Sequence, residues 1–302
     1  MDFVFERLDL WIKGILADTV CSNLRSMMET IQTLTVGLDS ELALSPDSYN
    51  ADMWSMLQNV IDSAIVPVAS LVLTAIMCLE LISWLNEQNN MRTTGDIMAQ
   101  FVKFIVRLFI GVLLVQKSYD ITLWVFRLSN FVIFNAIGTI NTSISADILS
   151  GSSLEAIKET LVTLEIGDLL TIIGVSFLAS LATVIIQAAA WIVILGRVIQ
   201  IYMYCSVGAI PYATLTHKET SGIGKNYLLN LAALGFQGFF MLIAIAMYGY
   251  LINDAISKLD PGDLVSPMGF ISFVLKLLCC GGALLFTLIG SKSLSKSIFN
   301  AH

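Results

Sequence analysis

The chain has 302 residues, 56% of them hydrophobic and 13% charged, with a formal net charge of −7. Soluble domains average about 45–50% apolar and 25% charged, so a soluble globular fold is excluded. The mean hydropathy of +0.81 comes from five apolar blocks, residues 65–84, 97–115, 169–205, 227–252 and 268–290, each long enough to cross a hydrocarbon core that needs roughly 20 helical residues.

In chain order, the first element is amphipathic. Val4, Leu8, Trp11 and Ile15 recur at helical spacing, with Asp2, Glu6, Asp9, Lys13 and Asp18 between them. Such a stripe lies on a membrane or a partner, and its acidic polar face favours protein over anionic lipid, because helices drawn to that lipid are rich in Lys and Arg. Met1 and Asp2 open without a basic n-region or cleavage site, so insertion is expected to use the internal spans. After a turn-rich stretch, a second amphipathic piece (Met53, Leu57, Val60, Ala64) runs into the first span, with Pro67 at its start, where first-turn amides lack intrahelical partners.

The second block carries charge. Asp96, Gln100, Lys103, Arg107 and Gly111 share one face, and Arg107 falls roughly 15 Å into the block. A cation that deep costs about 2.5 kcal/mol or more, so it should face a bundle interior, water or an acid, Glu80 among the candidates. Either Gln100, Lys103 and Arg107 line a pathway, or the cations snorkel or form structural pairs. Residues 116–140 continue as an aromatic-rich amphipathic helix bearing Lys117, Asp120 and Arg127, too charged to be counted as a span. Residues 141–153 read as a loop and 154–164 as a short acidic helix.

The third block is well beyond bilayer length and must tilt, kink or protrude. Its Ser176, Ser180, Thr183 and Gln187 form a polar stripe that either packs helices closely or lines a pore, the packing reading being favoured. Arg197 near its inner end is explained by snorkelling. The 221–225 run Ser-Gly-Ile-Gly-Lys lacks phosphate-loop spacing and follows no strand, so nucleotide binding is not expected. Small residues 279–283 in the last block allow close helix approach.

No constellation supports catalysis. His217 and His302 stand apart from any Cys or Asp cluster at ligand spacing, so no metal and no cofactor is expected; Asp260 and Asp263 flank a Pro-Gly turn. An intramembrane proton relay is disfavoured because the acids fall overwhelmingly outside the spans. With the N-terminus outside, the outer segments hold nineteen acids and eight Lys/Arg, the inner ones four acids and eight Lys/Arg. The cation counts tie, so orientation rests on local placement: Lys218/Lys225 in a short loop and Lys292/Lys296 beside the last span put that loop and the C-terminus inside.

The layout resembles the TrbL-like conjugal transfer proteins, polytopic membrane subunits of type IV secretion systems, in particular the shorter forms of Gram-positive conjugative elements. The resemblance rests on the amphipathic opening from Met1-Asp-Phe-Val-Phe5, a first span ending at Trp84, the basic second block, the long segment through Asp168, and a late apolar hairpin with a Lys-containing tail. It implies a non-enzymatic channel or platform component for export of single-stranded DNA with its relaxase, powered by separate ATPases. No functional residue is carried over from the family.

The expectation is therefore an all-α, multispanning integral membrane bundle of about five spans with N-terminal amphipathic helices. Residues 1–64 form an extracytoplasmic amphipathic region, 65–116 the first two spans, 117–168 an extracytoplasmic helix and loop, and 169–302 three further spans with a short cytoplasmic tail. Expected partners are membrane lipid, other secretion-system subunits, further copies of the chain in a homo-oligomer, and transiently DNA and relaxase, in the cytoplasmic membrane of a bacterium. The competing readings are a small-molecule transporter or permease, which inverted repeats would favour, and a structural membrane anchor for another complex.

Overall fold

A computed structural model of the chain describes residues 2–37, 42, 44–88, 94–140, 151–258 and 266–301, and every regular element among them is helical. In chain order these are α1 (Asp2–Gln32, extended by a π-helical turn, Thr33–Gly37), α2 (Pro46–Tyr49), α3 (Ala51–Val60), a second π-helical turn (Ile61–Ile65), α4 (Val66–Gln88), α5 (Thr94–Gln116), α6 (Ser118–Ile140), α7 (Gly151–Val162), α8 (Ile166–Val207), α9 (Ala209–Thr214), α10 (Ser221–Ser257) and α11 (Pro267–Ile298). The loop at 141–150, the Asp260/Asp263 turn and His302 lie outside the described residues. The chain divides into two compact units, one of Met1–Leu42, Phe134–Ile194 and Phe240–Ser291, the other of Ala43–Ile133, Leu195–Phe239 and Lys292–His302.

In the first unit α1 buries a narrow seam. Ala17, Val20, Leu24, Met27, Ile31 and Leu34, alternately three and four residues apart, are all sequestered. This is the heptad spacing that keeps one edge of a helix against a neighbour. The facing part of α8 repeats it with Leu169, Ile172, Ser176, Ala179 and Thr183. Asn23 donates to the Ser176 hydroxyl (3.0 Å) and Gln187 to that of Thr33 (3.0 Å). The nearly constant offset of 153 and 154 residues means that α1 and α8 run parallel. α7 packs on the same α1, where Lys158 pairs with Asp18; that hydrogen bond raises the Lys158 ammonium above its usual value. Among α10 and α11 residues, Met241, Ile245, Ile252, Phe270, Leu277 and Leu288 complete the core.

In the second unit α3 starts from Asn50, whose side chain accepts from the Met53 amide (2.9 Å). The segment from Ala51 to Asn86 is helical throughout, so Pro67 lies inside it rather than at its beginning. The π-helical turn at 61–65 explains the tolerance: the Val66 amide bonds to the Ile61 carbonyl, five residues back, just where proline withholds an N–H. Trp54, Leu57, Ile61, Phe126, Ile201, Tyr212, Tyr227 and Leu231 form one apolar cluster, and Ala69, Leu73, Ile76, Val115, Ala209 and Ala213 a second. The Tyr202 hydroxyl donates to the Pro46 carbonyl (2.8 Å), and Arg127 to Asp47 (3.0 Å). Burial alone would raise the Asp47 carboxyl; hydrogen bonds from Ser45 and Arg127 outweigh it and hold the group below the usual carboxylate range.

Among the described residues six helical stretches are long and apolar enough to cross a membrane: Ala51–Asn86, Ile97–Gln116, Ser118–Ile140, Ile166–Val207, Ser221–Ser257 and Pro267–Ile298. Charge density argues against Ser118–Ile140 as a span, yet its Asp120 and Arg127, with the adjoining Lys117, crowd its beginning and leave 128–140 uncharged. It does not add the second leg of a hairpin, because only Lys117 separates it from α5 and backbone bonds run across that residue, from the Lys117 amide to Leu113 (2.8 Å) and from the Ile121 amide to Lys117 (3.0 Å). Helical hairpins need loops of about 2–5 residues, so α5 and α6 continue one another. At 1.5 Å per residue that pair runs to about 70 Å and α8 to about 63 Å, both roughly twice a hydrocarbon core.

Candidate functional site

The charged face of the second block meets α4 near the closed end of the α4–α5 hairpin, where a loop after α9 joins it. Glu80, Ser83 and Trp84 of α4 face Gln100, Lys103, Phe104 and Arg107 of α5, and with His217, Lys218 and Glu219 they line a polar cleft of about 340 Å³. Residue spacing explains the faces, since positions three, four and seven apart share one side of a helix. The loop is braced by its own bonds, from the Thr220 hydroxyl to the Thr214 carbonyl (3.0 Å) and from the Ser221 amide to His217 (2.9 Å). The Ser-Gly-Ile-Gly-Lys run is simply the first turn of α10, where Gly224 is required: a Cβ there would stand 2.6 Å from the Pro211 carbonyl oxygen.

Glu80 is the hub. One carboxylate oxygen takes the Arg107 guanidinium and the other meets His217 Nδ1. A carboxylate only accepts, so Nδ1 carries the proton of that bond. The Glu80 and His217 side chains are 12% and 8% exposed, against 47% for Arg107. Glu219 stands 3.8 Å from His217 Nε2, too far for a hydrogen bond, and is solvated. Lys103 and Lys218 are exposed and form no ion pair among the described residues. Trp84 stacks at a tilt on Phe101, and its indole N–H is buried without an acceptor among the described residues.

A second charge is fully enclosed. Arg197 does not snorkel: it is 4% exposed and donates to the Leu234 and Gly235 carbonyls (3.4 and 3.2 Å). Gly238 makes the room, since a Cβ there would lie 2.6 Å from the guanidinium carbon.

The other residues singled out in the sequence fall elsewhere. Ser176 and Thr183 are buried in the α1–α8 seam, Ser180 and Gln187 at its edge; the three hydroxyls bond their own helix backbone, and only Ser176 and Gln187 also reach α1. On α1, Leu8, Trp11 and Ile15 are exposed, Trp11 by 65%, while the Val4 side chain lies outside what is described. His217 could not have been grouped with Glu80 from the sequence, being 137 residues away. No group of three His, Cys, Asp or Glu able to hold a metal ion occurs among the described residues.

Long apolar helices define a polytopic, all-helical membrane protein. The family model for the TrbL/VirB6 plasmid conjugal transfer like protein matches residues 24–209, most of the chain, and the protein belongs to that family. Membership makes it a membrane component of conjugal transfer that works with other subunits of the transfer system. No curated protein and no solved structure matches the chain.

Proposed function

We propose that the chain is a channel or platform subunit of a conjugative type IV secretion apparatus in the cytoplasmic membrane of a bacterium. It would act as a homo-oligomer and without catalysis of its own, contacting the exported single strand and its relaxase only in transit. The observation that carries this reading is the family match across 24–209, which runs from α1 through the whole of α8. Assembly is supported by α5, of whose apolar window only 6% is buried within one chain. A lone protomer of this size also offers few ways to enclose a polymer. The pairing of Arg107 with Glu80 favours a structural role for that arginine over a place on the DNA path.

An in-frame deletion in the donor should abolish transfer, with restoration by the intact gene, and formaldehyde crosslinking should recover the exported strand with this chain. Normal transfer without the protein would refute the role altogether. Recovery of the strand with neighbouring subunits but never with this chain would refute the channel and leave the platform. A strictly monomeric particle in both detergent and lipid discs would refute the oligomer.

For topology we propose five crossings, with α5 and α6 counted once, the 208–220 loop and the C-terminus inside and 141–165 outside. In a background lacking native cysteines, Ser152→Cys should react with an impermeant reagent on intact cells and Ser293→Cys should not. Labelling of Ser293 with protection of Ser152 would invert the orientation.

A further inference from the structure

The charged cleft does not end at Phe104. That side chain also lines an apolar groove of about 370 Å³ between the same two helices, walled by Leu73, Met77 and Leu81 of α4 and Leu108 and Val112 of α5. From Leu81 back to Ser70 the groove follows α4 for about 17 Å, roughly half of a 30 Å hydrocarbon core. One end is thus rich in N–H donors and cations, and the other is a channel of one acyl chain's reach.

We propose that the α4–α5 hairpin holds one anionic phospholipid, its headgroup phosphate in the cleft and an acyl chain in the groove. Within the cleft Glu80 is already matched by Arg107 and His217, and Glu219, on the same cleft wall, is 88% exposed. Among the described residues Lys103 and Lys218 then outnumber Glu219, leaving one cation in excess, and the buried Trp84 N–H wants an acceptor. A phosphate diester supplies what these three lack, a negative charge and several acceptor oxygens in one compact group, and charge-assisted bonds are the stronger kind. Basic pockets between membrane helices take such headgroups for this reason. A free anion would leave the groove open, and a nucleic acid strand has nothing to place in it. The contiguity of the two cavities therefore selects the lipid.

The proposal does not rest on the transfer reading, because its test needs only the purified full-length chain. Native mass spectrometry after delipidation and titration should show one phosphatidylglycerol retained per chain, about tenfold more tightly than phosphatidylcholine of identical acyl chains. Both positions are exposed and unpaired among the described residues, so Lys103→Gln with Lys218→Gln can be made without disturbing the fold, and this variant should lose the preference for the anionic lipid. Val112→Trp, which fills the groove, should weaken retention of phosphatidylglycerol as well. Equal retention of the two lipids, or an undiminished preference in the lysine variant, overturns the proposal. Inorganic phosphate competing as well as the lipid would reduce the site to a bare anion cleft, and displacement of the lipid by an equimolar single-stranded oligonucleotide would assign it to nucleic acid; either result also overturns it.

Discussion

Gly238→Val should remove the protein from the membrane fraction. The space a side chain would need is already filled by the Arg197 guanidinium, 2.6 Å from the position of a Cβ. Overpacking a closed core costs about 1–3 kcal/mol, and pushing a buried cation off its only acceptors adds about 2 kcal/mol or more. Set against a folding stability of about 5–15 kcal/mol, that is a large fraction of the whole. Among the described residues Arg197 has two carbonyls and no carboxylate within reach, so the site tolerates the charge by geometry alone. It follows that Arg197→Ala, which empties the space and leaves no uncompensated acid behind, should restore Gly238→Val to near-normal abundance by immunoblot of membranes. Normal abundance of Gly238→Val alone, or a double variant no better than the single one, would show that Arg197 and Gly238 are not coupled in the folded protein.

The difference between Arg197 and Arg107 shows what a sequence does and does not carry. Both read as cations within apolar blocks, and snorkelling is a sound default for either. What separates them is the partner: a glycine forty-one positions on for Arg197, and an acid on the preceding helix for Arg107, whose spacing along α5 already marked a polar face. The membrane helices and their approximate limits were legible because twenty apolar residues in a row have few other uses. The α1–α8 seam was half legible: the Ser176-to-Gln187 stripe stood out, but the heptad on α1 was hidden among acids, and the exposed Trp11 face carried the stronger pattern. The path of α5 into α6 turned on one residue, since charge density suggested that the helix stayed outside the membrane while backbone continuity across Lys117 decides how the chain runs. His217 gave no local signal at all, because its place beside Glu80 is made by the braced loop after α9.

Removing Arg107 should cost more than removing Glu80, and removing both should cost less than the sum. Glu80 is nearly enclosed, so Arg107→Gln leaves a carboxylate supported by His217 alone, a loss of about 2–3 kcal/mol. Glu80→Gln instead frees a guanidinium that is already half exposed, at about 1 kcal/mol. In the double variant neither charge is stranded, so a double-mutant cycle should return a favourable coupling of about 1 kcal/mol or more. Lys103→Gln, exposed and unpaired among the described residues, should lie within about 0.5 kcal/mol of the parent. Thermal unfolding in one detergent reads all four. The same variants separate structure from transport in donor cells: Arg107→Gln should lower transfer only in step with its abundance in the membrane, and the double variant should recover both. Additive costs in the cycle would mean that Glu80 and Arg107 do not support one another, and a stably inserted Arg107→Gln protein that still failed to transfer would put that arginine back on the path of the DNA.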